Sequence, residues 1–315
     1  MAQRPRTHDS YRHEALLWRG LEDFLAGTVP FIEEGLAAGE PVMAAVVPER
    51  LAALEDALGA DAARVRFVDM TQLGQNPARI IPAWQRFAGE HAVKGQAVRG
   101  IGEPIWSGRR PAEVVECQLH EALLNVAVEP DVPLWLLCPY DVQRLPAEVV
   151  TEAHRSHEVI VEVEHHGRSA LYGGAHNAAQ MFQADLPPVE VAVSHRIFAA
   201  ADHLRAVRQD VTAHALSAGL SSQAAADVAL AVHEVAINSL THGHGRGELR
   251  IWREDDALIC EVNDDGRIDD PMVGRRPPSW GEESGRGLWM ANQLCDLVQI
   301  RSGQAGTTVR IHTWL

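Results

Sequence analysis

The chain has 315 residues, enough for two ordinary domains with a core each, and its formal charge of -15 with no run of Lys or Arg argues against a nucleic-acid groove. An acidic surface suits solubility and a basic protein partner instead. The longest apolar runs, such as Val42 to Val47, are far below membrane-spanning length, and Met1-Ala-Gln-Arg-Pro-Arg lacks the apolar core of a signal peptide. With Cys117, Cys138, Cys260 and Cys295 showing no close pairing, the sequence reads as cytoplasmic and reduced.

Residues 1 to 10 are read as disordered. From His13 to Leu25, Leu16, Leu17, Leu21, Phe24 and Leu25 follow helical spacing, and Val29 to Ala38 continues as a second helix. Short apolar runs then appear at Val42 to Val47, Val65 to Val68, Gln96 to Arg99 and Leu134 to Leu137. Helical patterns separate them at Glu49 to Leu58, Pro77 to His91 and Pro111 to Val126, with one more at Pro146 to His154. This alternation predicts an α/β domain, a mostly parallel sheet flanked by helices.

Ligands of such sheets bind beyond the carboxyl ends of the strands. Arg99-Gly100-Ile-Gly102-Glu103-Pro-Ile-Trp106 follows the third run and Cys138-Pro139-Tyr140-Asp141 the fourth. Arg99, Glu103, Trp106, Cys138 and Tyr140 are thus candidates to frame a small-molecule sensing pocket. The plainer alternative is that Gly and Pro turn the chain and the charges are rim residues. There is no G-x-x-x-x-G-K-S/T, so no P-loop is expected. With His13 in H-E-A-L-L-W, then G-E-P-I-W and L-C-P-Y-D, residues 10–165 resemble the MEDS sensory domain. That resemblance implies a RecA-like fold and adds His13 to the pocket candidates.

Histidines crowd the next stretch: His154, His157, His165, His166 and His176. His154 and His157 stand three apart, a spacing a metal could use, but no acidic or Cys residue completes a recognisable motif. Cys138-Pro139 is a conceivable haem ligand, although a Cys at the end of a buried strand reads first as core. Ser156-His157-Glu158-Val159 looks superficially like a phosphoacceptor box. The strand-like run Ile160 to Glu164 and the glycines 167, 173 and 174 leave no room for a long two-helix hairpin. The linker is placed at 166–188, which holds Gly, Asn, Gln and a Pro-Pro pair.

The second domain is taken as 189–315. Val189 to Val193 starts as a strand, His203 to Ala218 is an amphipathic helix ending at Gly219, and a long helix covers Ser222 to His242. Leu249 to Trp252 and Leu258 to Val262 form an antiparallel pair turned at Asp255-Asp256. Residues 268–284, rich in Pro, Gly and charge, suit a mobile lid. A helix at Leu288 to Leu297 and a pairing of Val298 to Ile300 with Val309 to Ile311 complete a two-layer α/β sandwich with a mixed sheet.

In the long helix, Val228, Val232, Val235 and Leu240 recur at three- and four-residue steps and would face a core. Glu234, Asn238 and His242 are each four apart and stack as one ridge. Alone, such a ridge reads as a solvated face. Downstream, however, come Asn263-Asp264-Asp265-Gly266, then Gly281-Glu-Glu-Ser-Gly285-Arg286-Gly287-Leu288, then Gly306-Thr307-Thr308.

This order resembles the ATP-binding domain of gyrase, histidine kinases and MutL, and within that group the anti-sigma factor serine kinases. By the resemblance, Glu234 and Asn238 match the N box, Asp264 and Gly266 the adenine-binding glycine box, Gly285 and Gly287 the lid, and Thr308 the threonine near adenine. His242 and Arg286 join them as nucleotide-binding candidates. The resemblance implies ATP and Mg²⁺ as cofactors, with Asn238 on the metal and Glu234 as general base toward a protein serine. One departure is that Ile268 stands in the second Gly slot of the glycine box, so the loop after Gly266 must run differently. The implied partners are a sigma factor and an antagonist protein, with a small-molecule signal upstream and no direct contact with nucleic acid or membrane. Relatives of the ATPase domain commonly pair, which leaves a homodimer open. Two alternatives also stay open: a catalytically silent ATP-binding switch, and a sensor histidine kinase.

Overall fold

The computed structural model describes residues 8–92, 95–162, 165–189, 194–254, 256–278 and 285–315. The chain divides into two compact units, one up to Ala178 and one from Ala179 onward. Among the described residues no helix is long and apolar enough to cross a membrane, and the four cysteines are buried and form no disulfide with one another.

The first unit alternates β1 (Arg12–Trp18), α1 (Gly20–Ala38), β2 (Val42–Val46), α2 (Pro48–Leu58), β3 (Val65–Asp69), α3 (Met70–Leu73), α4 (Ile80–Ala92), β4 (Val98–Gly102), α5 (Pro111–Ala127), β5 (Leu134–Asp141), α6 (Ala147–Ser156), β6 (Val159–Glu162) and β7 (His165–Arg168). The sheet runs in the order β3-β2-β4-β5-β1-β6-β7, parallel throughout except for β7. Leu16, Trp18, Ala44, Ile101 and Leu137 point to one face and pack with Phe24 and Ile32 of α1 and Leu54 of α2. Ala15, Leu17, Cys138, Tyr140 and Ile160 point to the other, under Cys117 of α5 and Val149 of α6. Gly100 admits Trp84 of α4 on this second face: a Cβ there would stand 2.5 Å from the indole and from Leu136.

One expectation is overturned. The run from His13 to Leu25 is not a helix; its first half is β1, a central strand. A strand buried on both faces is apolar at every position, so a short run does not distinguish it from a buried helix. Leu16 and Leu17 belong to the strand, Leu21, Phe24 and Leu25 to α1, and their combined helical spacing is accidental. Gly20, at φ +78°, is the break, and α1 then runs unbroken through Val29 to Ala38 with Pro30 inside it. The third apolar run likewise forms β4 further on than expected, so Arg99 stands near the start of the strand rather than at its end and residues 100–102 belong to the strand.

The segment expected to be a linker, 166–188, contains most of β7 and the helix α7 (Gly174–Gln183). The expected strand beyond Val189, the end of the run at 163–164 and the turn residue Asp255 lie outside the described residues.

In the second unit, β8 (Ser194–Phe198), α8 (His203–Ser217), α9 (Ser222–His242), β9 (Gly247–Glu254), β10 (Ala257–Asp264), α10 (Arg286–Leu294), β11 (Leu297–Gly303) and β12 (Gly306–Trp314) form a sheet of order β11-β12-β10-β9-β8 beneath a helix layer. Every described pairing in it is antiparallel, not mixed, because each neighbouring pair is joined either directly by a turn or through two intervening elements, α8 and α9 or α10 and β11, so the second strand returns against the first. On the far face Ala257 and Ile259 pack with Trp252, Trp314 and Val189. There the Glu261 carboxylate pairs with Arg310 at 2.6 Å, and Arg310 also donates to the Pro187 carbonyl at 2.8 Å, so residues 187–189 cover this face.

Candidate functional site

α9 starts at Ser221, whose hydroxyl oxygen accepts from the Ala224 amide at 3.1 Å. Val228, Val232, Val235 and Ser239 are buried, and Leu240 is half-buried. Glu234 and Asn238 are half-buried on the adjoining side, while His242 is exposed in the last turn.

Asp264 ends β10 opposite this helix. Its Oδ2 accepts from Ser239 Oγ at 2.6 Å and its Oδ1 from the Gly266 amide at 2.8 Å, so the carboxylate is fixed from two sides. Ser239, next to Asn238, is an anchor the sequence reading missed; it sits where the core face meets the ridge. A Cβ on Gly266 would lie 2.5 Å from the His242 carbonyl oxygen and 2.9 Å from Gly243 Cα. Only glycine lets the Asp264–Gly266 turn lie this close to the end of α9.

Gly285 is the N-cap of α10, at φ +84°, with no side-chain cap among the described residues. The helix start is therefore a set of backbone amides with partial positive charge, suited to an anion. A Cβ on Gly287 would stand 3.1 Å from Glu234 Cβ and 3.4 Å from Asn238 Nδ2, so the first turn of α10 abuts the α9 ridge. Between the two helices and the turn is a cavity of about 320 Å³ whose lining includes Asn238, His242, Asp264, Gly266, Gly285 and Thr307. Glu234 borders Gly287 outside this lining, and Arg286 is exposed and also outside it.

Thr308, expected near the nucleotide, faces away from the cavity and donates to Asn263 Oδ1 at 2.6 Å. Its neighbour Thr307 lines the cavity and donates to the Gly266 carbonyl at 2.9 Å. Successive strand residues face opposite ways, so a motif of two adjacent threonines does not say which one points inward. Ile268 is accommodated without positive φ, a conformation that among the described non-glycine residues only His244 adopts. Its amide donates to Ser302 Oγ at 2.8 Å, and Ser302 in turn bonds Thr307 at 2.9 Å. Of the expected lid, the stretch 272–275 is held against the domain, while residues 269, 270, 276 and 277 are exposed. Met272 is buried, and the Gly274 carbonyl accepts from Asn292 Nδ2 of α10 at 2.9 Å. Residues 279–284 lie outside the described residues.

In the first unit, the six residues expected to frame one sensing pocket fall in separate places. Arg99, near the start of β4, donates to Glu40 at 2.6 Å and to the Phe31 carbonyl at 3.0 Å, between the rings of Phe31 and Trp135. Glu103, beyond the carboxyl end of the strand, pairs with Arg50 at 2.7 Å and accepts from the Val47 amide at 3.2 Å. Burial, opposed by Arg50, pushes the Glu103 carboxyl up to about 7. Arg99 and Glu103 stand four positions apart along the chain, about 13 Å, and each is already held by its own buried partner, Glu40 for one and Arg50 for the other. Trp106 stacks under the Arg109 guanidinium at 4.2 Å. Only His13, Cys138 and Tyr140 come together, around Glu121 and His157, two residues the sequence reading did not place there because no local spacing links them. His157 is wholly buried, with Nδ1 bonded to the Ala153 carbonyl at 2.8 Å, which argues against a phosphoacceptor role.

A family model described as the MEthanogen/methylotroph, DcmR Sensory domain (MEDS) matches residues 12–158, and one described as a histidine kinase-like ATPase domain matches residues 197–313. No curated protein matches the chain. Among solved structures, the RsbU and RsbW domains of Rv1364c from Mycobacterium tuberculosis are similar at 21% identity and a TM-score of 0.30, over 38% of this chain and 31% of that one. The match thus spans about a third of that chain's length. By its two domain families, the chain is a MEDS domain followed by a histidine kinase-like ATPase domain.

Proposed function

We propose that the ATPase domain binds Mg²⁺·ATP in the cavity between α9, the Asp264–Gly266 turn and α10, and that the chain is a signal-gated anti-sigma regulator acting on protein partners. The observation that carries this reading is the convergence of Glu234 and Asn238 on Gly287 at the start of α10, beside the cavity that Asp264 lines.

The residues fit the cofactor. Asn238 offers a neutral carbonyl oxygen, enough for a hard cation that keeps most of its waters. The Asp264 oxygens, each already held by one hydrogen bond, keep lone pairs for an exocyclic amine. Gly287 leaves open the space that a Cβ would fill, and the α10 amides face phosphate. When bound, Mg²⁺·ATP supplies a transferable phosphoryl group. In this reading Glu234, beside Gly287, takes the hydroxyl proton of a serine on an antagonist protein. Antagonist and sigma factor as partners, and a small-molecule signal for the MEDS domain, follow from the motif resemblance.

Titration calorimetry tests the site. Wild type is expected to bind ATP more tightly with Mg²⁺ than without, and Asn238→Ala to lose that gain; equal Mg²⁺ dependence in both would overturn the reading. Glu234→Gln is expected to keep ATP affinity while phosphate incorporation into a serine of the antagonist falls by about 10²–10⁴-fold. A switch that binds ATP without transferring phosphate is the second reading, favoured by the position of Glu234 outside the cavity lining. Absence of ADP formation with a bound antagonist would select it.

A further inference from the structure

Four ligating side chains from four parts of the MEDS domain meet in its interior. His13 comes from β1, Cys138 from the neighbouring β5, Glu121 from α5 above them, and His157 from the residue that ends α6. None is more than 6% exposed. One ligand atom from each, an imidazole nitrogen, a thiol sulfur or a carboxylate oxygen, lies within 4.8 Å of all the others. Glu121 Oε2 is 2.9 Å from His13 Nε2 and 3.2 Å from His157 Nε2, and Cys138 Sγ is 3.4 Å from His13 Nε2.

The outer hydrogen bonds decide which way the imidazoles present themselves. His157 Nδ1 lies 2.8 Å from the Ala153 carbonyl, an acceptor only, so this nitrogen carries the hydrogen. Asn125 uses its Nδ2 on the Ser156 carbonyl at 2.7 Å, which turns its Oδ1 toward His13 Nδ1 at 3.2 Å and makes that nitrogen a donor as well. Each neutral ring therefore aims the lone pair of Nε2 at the Glu121 carboxylate. With the Cys138 thiol as the one neutral donor among them, such acceptors in a buried space need a shared positive charge, a proton or a metal ion. His157 Nε2 and Glu121 Oε1 have no hydrogen-bond partner among the described residues. Such outer bonds to ring nitrogens are also how proteins orient metal-binding histidines.

We propose that His13, Glu121, Cys138 and His157 bind one divalent transition-metal ion of the zinc type. With metal–ligand bonds of about 2.0–2.3 Å the edges of a tetrahedral site are about 3.3–3.7 Å, so the closest pairs need to separate by a few tenths of an ångström and the widest, within 4.8 Å, to close by up to about one. Two imidazoles, a thiolate and one carboxylate select zinc or cobalt over magnesium or calcium. On binding, the Cys138 proton leaves to solvent as the metal–sulfur bond forms. Four protein ligands and no open position make the site structural or sensory, a clamp between the sheet and the α5–α6 layer. The proposal is independent of the nucleotide site.

The test uses the untagged full-length chain, stripped with a chelator and titrated with Zn²⁺ or Co²⁺. The folded wild type is expected to hold about one ion per chain. With Co²⁺ it should show tetrahedral ligand-field absorption and a thiolate charge-transfer band, and with Zn²⁺ its melting temperature should rise. Cys138→Ser should lose the charge-transfer band while keeping the far-ultraviolet circular dichroism of the folded chain, and Asn125→Ala should weaken affinity by about 10–100-fold. The proposal is overturned if stripped, folded wild type gives no charge-transfer band with Co²⁺ and melts identically with and without Zn²⁺. Weak binding without thiolate absorption counts against it equally, as scattered histidines acting alone, and the wild-type spectrum decides the matter even if a variant fails to fold.

Discussion

Glycine meets opposite needs at two positions around the nucleotide cavity. At Gly266 the problem is space, since a Cβ would run into the backbone of His242 and Gly243. At Gly285 the problem is conformation: φ is +84°, but nothing lies within 4 Å of a Cβ. Gly266→Ala should therefore displace the Asp264 turn from α9, costing about 1–3 kcal/mol and weakening ATP binding, whereas Gly285→Ala should cost about 1–2 kcal/mol through strain alone. Denaturant unfolding with ATP titration of both variants checks this contrast. The adjacent threonines offer a second comparison. Thr307→Val removes a hydroxyl from the cavity and its bond to the Gly266 carbonyl, so nucleotide affinity should fall. Thr308→Val, on the other side of β12, should leave affinity within about twofold, about 0.4 kcal/mol on a scale where 1.4 kcal/mol is tenfold. Equal effects in calorimetry would contradict the assignment of Thr307 to the cavity.

At the scale of elements, the assignment of residues 12–18 to a strand has energetic consequences. Leu16 is wholly buried between the sheet and α1, while Leu21 is 49% exposed on that helix. Leu16→Ala should cost about 2–5 kcal/mol and Leu21→Ala under about 0.5 kcal/mol in urea unfolding. In the helix expected from spacing both would face the core. β12 carries a pH dependence of its own. Burial, more than the Arg310 charge, lowers the His312 imidazole from 6.5 to about 3, and its Nε2 lies 3.0 Å from Gln299 Oε1. The neutral form is thus preferred in the folded chain. It contributes stability that is fully present above pH 6.5 and is lost as pH falls toward 3. Melting temperature should drop as acid is added through this window, and His312→Gln, which keeps an amide donor for Gln299, should flatten the dependence.

For the whole molecule, the two-unit division predicts that the chain from Ala179 onward folds by itself and binds ATP. A start at Ser194 would remove Pro187 and Val189 from the far face of the second sheet. Arg310 would lose a carbonyl partner and Trp252 would lose cover. The shorter fragment should therefore unfold at lower denaturant concentration, which a pair of urea curves would show.

What the sequence by itself determined about this protein was whatever depends on local period: alternating strands and helices in the first unit, and a carboxylate and an amide one turn apart in the second. Those follow from helix and strand geometry within a few residues of chain. Only the tertiary structure decided that residues 12–18 form a central strand, because burial on both faces erases the polar alternation that marks a strand. It also decided which of Thr307 and Thr308 faces the cavity, a matter of register. The meeting of His13, Glu121, Cys138 and His157 belongs wholly to tertiary structure as well. A parallel sheet places β1 beside β5 through long crossovers, so residues over a hundred positions apart become neighbours with no spacing in the chain to announce it.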